Sequence, residues 1–184
     1  MKYKLYFPLV ACLLLGCGNT LLDDVYKHTS SSDNKEMYTA FIILSNMELN
    51  DAYIDKLEQD FNNEDDLLKR YLLEFVLAKR TQQEKFIISF VDSSRSNLPS
   101  LARNNSYWIS MDSPVLELLS IYGATNDEAL SVLFLLLVET NNAHSGAISA
   151  GLRRVHKADS ARFSRIADDM GLNLTEILML MVDE

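Results

Sequence analysis

Apolar residues recur along this chain at intervals of three and four. Leu68, Tyr71, Leu72, Phe75 and Val76 mark one run, and Phe86, Ile87, Phe90 and Val91 mark the next. That spacing gathers side chains on one face of a 3.6-residue helix. No segment shows the sustained alternation of a strand. Capping residues punctuate the runs: Thr81, Thr125 and Asn173 each stand three residues before a Glu, at 84, 128 and 176. Cap and Glu can then satisfy each other's unpaired backbone donors. Asn63, Ser113 and Asp159 precede further starts, and Gly123 and Gly171 fall where helices should stop. The pattern predicts helices near 34–47, 51–61, 64–80, 82–92, 114–122, 126–140, 143–157, 160–170 and 174–182.

Short connectors force successive helices to run antiparallel. The expected fold is therefore all-α, built of stacked antiparallel helical hairpins, with about eight or nine helices in a compact bundle or a short α-solenoid. Pair starts near 33 and 63, then 113 and 142, favour a solenoid, but the signatures of the known helical repeats are missing. Ala129 to Val138 is apolar at every position but Ser131, and a helix apolar all round is buried on all sides. Residues 143 to 152 carry Ala143, Gly146, Ala147, Ala150 and Gly151, a smooth face for close packing, since interior Gly otherwise costs about 1 kcal/mol relative to Ala. The stretch 93–112 reads as a long loop, which inside a compact domain tends to be functional. Its Trp108 is the only tryptophan, with Tyr107 beside it.

The N-terminus has a different character. Lys2 and Lys4 precede an apolar run from Leu5 to Leu15 broken only by Pro8, the layout of a signal peptide; the run is short of the roughly 20 residues that span a bilayer. Leu14-Leu15-Gly16-Cys17 resembles the lipobox of bacterial lipoproteins. The resemblance implies that the Cys17 thiol is acylated and that the chain is cut just before it, leaving residues 1–16 as the signal peptide. Gly18, where an Asp would favour inner-membrane retention, implies outer-membrane delivery in a Gram-negative host. Residues 17–35, with the tract Thr29 to Asn34, then read as a flexible tether and 36–184 as one helical domain.

Cleavage removes Lys2, Lys4 and Cys12, leaving 15 basic against 26 acidic side chains, a net charge of −11. Such a chain repels nucleic acid, and a basic protein is its electrostatically natural partner. With Cys17 acylated no free thiol remains, so disulfides, Cys-containing zinc sites and Cys nucleophiles drop out together.

Other chemistry fares poorly. His28 lies in the expected tether, while His144 and His156 stand about 18 Å apart along one helix at 1.5 Å per residue, too far to share a metal. Ala147-Ile148-Ser149-Ala150-Gly151 outlines a nucleophile elbow but follows no strand. Asp60 to Tyr71 fails as a calcium loop because its sixth position is Asp65 and its twelfth is Tyr71. Asp168 and Asp169 diverge by about 100° on a helix, too splayed for shared acid–base work. Arg153, Arg154, His156, Lys157, Arg162 and Arg165 form the one cationic region, either a solvated face offsetting nearby acids or a dock for an anionic partner. Tyr107 and Trp108 either pin their loop to the core or serve as an interface anchor.

The expectation is a periplasm-facing outer-membrane lipoprotein that is not an enzyme, uses no cofactor or metal, and acts by binding another protein. An immunity-type protein neutralising a periplasmic toxin is the leading form. A pilotin-like assembly factor or scaffold of an envelope machine, and a carboxylate-based envelope hydrolase, are the alternatives.

Overall fold

The computed structural model describes residues 18–104, 112–139 and 145–181. These form ten helices and no strand: α1 (Gly18–His28), α2 (Asn34–Asn46), α3 (Asp51–Asn63), α4 (Leu67–Thr81), α5 (Glu84–Asn104), α6 (Asp112–Gly123), α7 (Asp127–Glu139), α8 (Ser145–Ala158), α9 (Ser160–Asp169) and α10 (Leu174–Leu180). The all-α expectation holds, with one helix more than the sequence pattern predicts.

Helix starts repeat at a fixed interval. Asp51 and Glu84 lie 33 residues apart, and the same 33 separates Asn34 from Leu67 and Asp127 from Ser160. Specific contacts tie each hairpin to the next in two rows. Among the odd helices, the Tyr26 hydroxyl of α1 donates to Asp60 of α3. Lys85 of α5 then bonds Glu58 of α3 at 3.0 Å, Arg95 of α5 bonds Glu128 of α7 at 2.9 Å, and Arg162 of α9 bonds Asp127 at 2.6 Å. Among the even helices, Lys79 of α4 donates to Asn46 of α2 at 3.0 Å and the Tyr122 hydroxyl of α6 to the Ala78 carbonyl at 2.9 Å. Arg154 of α8 reaches Ser120 at 2.8 Å and Ser149 reaches the Leu180 carbonyl at 3.3 Å.

The core lies between the rows. Phe41, Phe75, Phe90, Phe134 and Phe163 are wholly buried, and α7 buries Ala129, Leu130, Val132, Leu133, Phe134, Leu136 and Leu137, though not every side as its composition predicts, since Val138 at its end is 56% exposed. The smooth face of α8 packs chiefly on α6: a Cβ on Gly151 would stand 3.2 Å from the Ser120 Cβ. Gly123 is enclosed in the same way, its missing Cβ 3.3 Å from Val155. Gly171, at φ +69, makes the left-handed turn that ends α9.

Two expectations give way. Residues 18–35 are not a tether, because α1 occupies the first eleven of them and buries Leu22 and Val25 in the core. Leu21, Leu22, Val25 and Tyr26 have helical spacing, and the serine tract after them is the turn into α2. Nor do residues 93–104 form a loop, since α5 continues to Asn104, and 105–111 lie outside the described residues. Ser94 and Ser96 fold into the helix by donating to carbonyls one turn back, those of Phe90 and Asp92, at 2.7 and 3.4 Å. Some caps shift as well. Asp66, not Asn63, caps α4, and Asn126, not Thr125, accepts from the Ala129 N–H at 2.9 Å; Asp159 and Asn173 cap as expected.

Reciprocal contacts fasten α1 to α3. Tyr26 donates to Asp60 and Tyr53 donates to Asp23, the two rings meet edge to face at 6.2 Å, and the Lys56 ammonium lies 3.7 Å from the Tyr26 ring centre. If α1 belongs to the folded unit, Leu22→Ala should lower unfolding stability by about 2–5 kcal/mol, the cost of a large-to-small core change. Denaturant unfolding of the mature domain measures it, and an unchanged midpoint returns residues 18–28 to the role of tether.

Candidate functional site

An open groove of about 660 Å³ runs between α1 and α2. Leu21 and Val25 of α1 and Ala40 and Ile43 of α2 give it an apolar lining, each pair spaced three or four residues apart on its helix. Asp24, Asp33 and Glu36 add three carboxylates, against Lys35 and His28. Asp33 is engaged at the start of α2, accepting from the Lys35 and Glu36 N–H groups at 2.8 and 3.1 Å. Glu36 meets His28 Nδ1 at 2.8 Å across the helix pair, and Asp24 meets Lys27 at 3.1 Å. Both of these pairs are exposed and worth little to stability. Their carboxylates remain open to a competing cation.

A second polar feature lies inside. Glu74 of α4 is 2% exposed and its carboxylate accepts from the Ser89 hydroxyl of α5 at 2.7 Å, while Arg70 stands 3.9 Å away. Burial pushes its pKa above the ordinary carboxylate value, assisted by the charge of Asp92 and opposed by the hydroxyls of Ser93 and Ser89 and by Arg70. Nearby, Tyr71 and Ser94 share a buried hydrogen bond of 2.9 Å, and burial raises the Tyr71 pKa strongly. This cluster joins α4 to α5.

The cationic region is spent internally. Arg162 donates to the carbonyls of Gly123 and Ala124 at 2.8 and 2.9 Å and to Asp127 at 2.6 Å, closing the α6–α7 turn. Arg165 takes the other Asp127 oxygen at 2.7 Å and Asp169 at 3.2 Å. Their hydrogen bonds hold the Asp127 carboxyl below its ordinary range. Arg153 donates to the Met181 carbonyl, and His156 packs edge to face on Phe163 with centroids 4.9 Å apart. These contacts are those of a face offsetting nearby acids, while Lys157 is exposed and takes part in none of them.

Other expected residues are scattered. Ser149 is buried inside α8, so Ala147 to Gly151 is continuous helix and not an elbow. Asp60 accepts from Tyr26, and Glu64 bonds Lys69 at 2.6 Å, so the acidic stretch serves helix ends and hairpin contacts. Among the described residues no three His, Cys, Asp or Glu side chains gather to hold a metal ion, and no helix is long and apolar enough to cross a membrane. Cys17, Tyr107, Trp108 and His144 lie outside the described residues. The groove's signal in the sequence was the helical spacing of Leu21 and Val25, and that of the buried acid was one Glu within the run Leu72 to Leu77. Comparison with protein-family models, with characterised proteins and with solved structures finds no match.

The environment of Glu74 sets a pH dependence. The folded state holds its proton more tightly than the unfolded chain, so the native state is favoured at acid pH and loses that advantage as pH rises from about 4.3, the unfolded value. Glu74→Gln abolishes this component. Stability curves of the two proteins should therefore diverge in favour of the variant between the carboxylate range and neutrality, and urea midpoints measured across that range report it. Parallel curves would show that Arg70 and the serines offset the burial.

Proposed function

We propose that the chain is a lipoprotein acylated at Cys17, held on the periplasmic side of the outer membrane, that acts by binding another protein, as an immunity-type protein does when it neutralises a toxin delivered into the periplasm. The lipobox-like Leu14-Leu15-Gly16-Cys17 supports the address. The observation that carries the binding role is the groove between α1 and α2. An apolar trough between two helices with carboxylates along it fits an amphipathic basic helix, whose apolar side chains would fill the lining while its Lys or Arg residues meet Asp24 and Glu36. The mature chain's net charge of −11 steers the same kind of partner.

A break in the 33-residue interval supports a second contact. From α5 to α7 the spacing is 43 residues, Glu84 to Asp127, so the extra chain enters at the third hairpin. Insertions in stacked repeats often serve binding, and Tyr107 and Trp108 stand in the sequence between α5 and α6.

Deleting the gene and exposing the cells to toxin-delivering neighbours tests the function. Killing of the mutant, with rescue by the wild type, supports immunity, and a defect in envelope assembly without killing supports the pilotin-like alternative. Cys17→Ser should abolish palmitate incorporation and membrane fractionation with an unchanged melt. Asp24→Arg combined with Thr39→Arg, both at exposed positions, should weaken partner binding at least ~10-fold, or about 1.4 kcal/mol, at constant melting temperature. Trp108→Ala should cost about 2 kcal/mol of binding if the indole is an interface anchor; a stability loss of about 3–5 kcal/mol would assign it to the core.

A further inference from the structure

We infer that the lipid seats this domain directly on the bilayer, along one edge of the hairpin stack, with no stand-off from the membrane. The inference rests on the proposed acylation of Cys17 and adds to it the orientation of the folded part. Leu22, five residues beyond Cys17, is 4% exposed and belongs to the core. Five residues reach at most ~18 Å even when extended, and about 7.5 Å as helix. An 18-residue tether would have reached ~60 Å. The start of α1 therefore stays within about 18 Å of the headgroups.

The contacts between helices show which edge is held there. Asp23 meets Tyr53 and, further on in both helices, Tyr26 meets Asp60, so α1 and α3 run the same way. Helix α2 returns from the turn at 29–33, and its Asn46 bonds Lys79 at the end of α4. One edge thus collects the starts of α1 and α3, the ends of α2 and α4, and the 47–50 connection. The opposite edge holds the 29–33 turn and the 64–66 connection, roughly 16 Å away along an 11-residue helix. The seated edge has mixed charge, Lys79 and Arg80 against Glu48 and Asp51, so the covalent anchor and the buried first helix hold it there, and salt should not release it. The groove between α1 and α2 then runs from the seated edge, at Leu21 and Ile43, to the far edge, at His28 and Asp33, so its carboxylate-rich end faces away from the membrane.

The mature chain has no cysteine besides Cys17, so a fluorophore can be placed uniquely on acylated protein. Asp51→Cys labels the seated edge and Asp65→Cys the far edge, both at exposed positions. The full lipidated protein is reconstituted into phosphatidylethanolamine–phosphatidylglycerol vesicles that carry a headgroup-attached quencher. Quenching should be severalfold stronger at position 51 than at 65, at low and at high salt alike. A Gly-Ser linker of about 12 residues inserted between Cys17 and Gly18, flexible enough to free the domain, should erase the difference. Acylated protein with equal quenching at both positions, or with stronger quenching at 65, overturns the seat and leaves the lipoprotein reading standing. Mass spectrometry that finds Cys17 unacylated overturns that reading and the seat with it.

Discussion

Among the described residues, large apolar side chains are shared between neighbouring helix pairs, so the core of each pair is completed by the next. Phe90 of α5 meets Tyr71 and Phe75 of α4 on one side and Tyr122 of α6 on another, so a single ring belongs to three helices. Phe134 of α7 packs likewise on Phe163 of α9 at 4.8 Å. Burial of apolar area supplies most of the stabilising free energy; here it is gained between hairpins, and the hydrogen bonds from one hairpin to the next fix the register in which they meet.

That dependence explains where the cations go. An acidic chain might be expected to display its few arginines, yet Arg162 and Arg165 are consumed at one turn. Arg162 supplies positive charge to the carbonyl end of α6, and both arginines hold Asp127 at the amide end of α7, so each helix terminus receives the charge its dipole favours. The acids at the α1–α2 groove have weaker partners. His28 and Lys27 are exposed side chains, and the negative field there is correspondingly less neutralised.

Much of this fold was legible in the sequence. Periodicity and caps place most helices, and the apolar run from Ala129 marks the buried one. Two segments were misread for a common reason: serine-rich composition resembles a loop. In α5, Ser94 satisfies its hydroxyl inside the helix and against Tyr71; near the N-terminus the polar tract after His28 hid the helix before it. The groove was illegible because it needs two helices, one of which had been read as tether. Glu74 was overlooked because periodicity reports only that a position faces inward. Whether a carboxyl there finds a hydroxyl depends on Ser89, fifteen residues away on another helix.

The terminal position of α1 has a mechanical consequence. In a stack whose units touch only their neighbours, stability is a sum of local and nearest-neighbour contributions. With the proposed lipid on Cys17, a pull delivered there would enter at the first described unit, loading the Tyr26–Asp60 and Tyr53–Asp23 contacts before anything deeper is disturbed. Under the proposed anchoring, force between membrane and partner would peel this protein from the α1 end, hairpin by hairpin, and the α1–α2 groove would be the first surface lost.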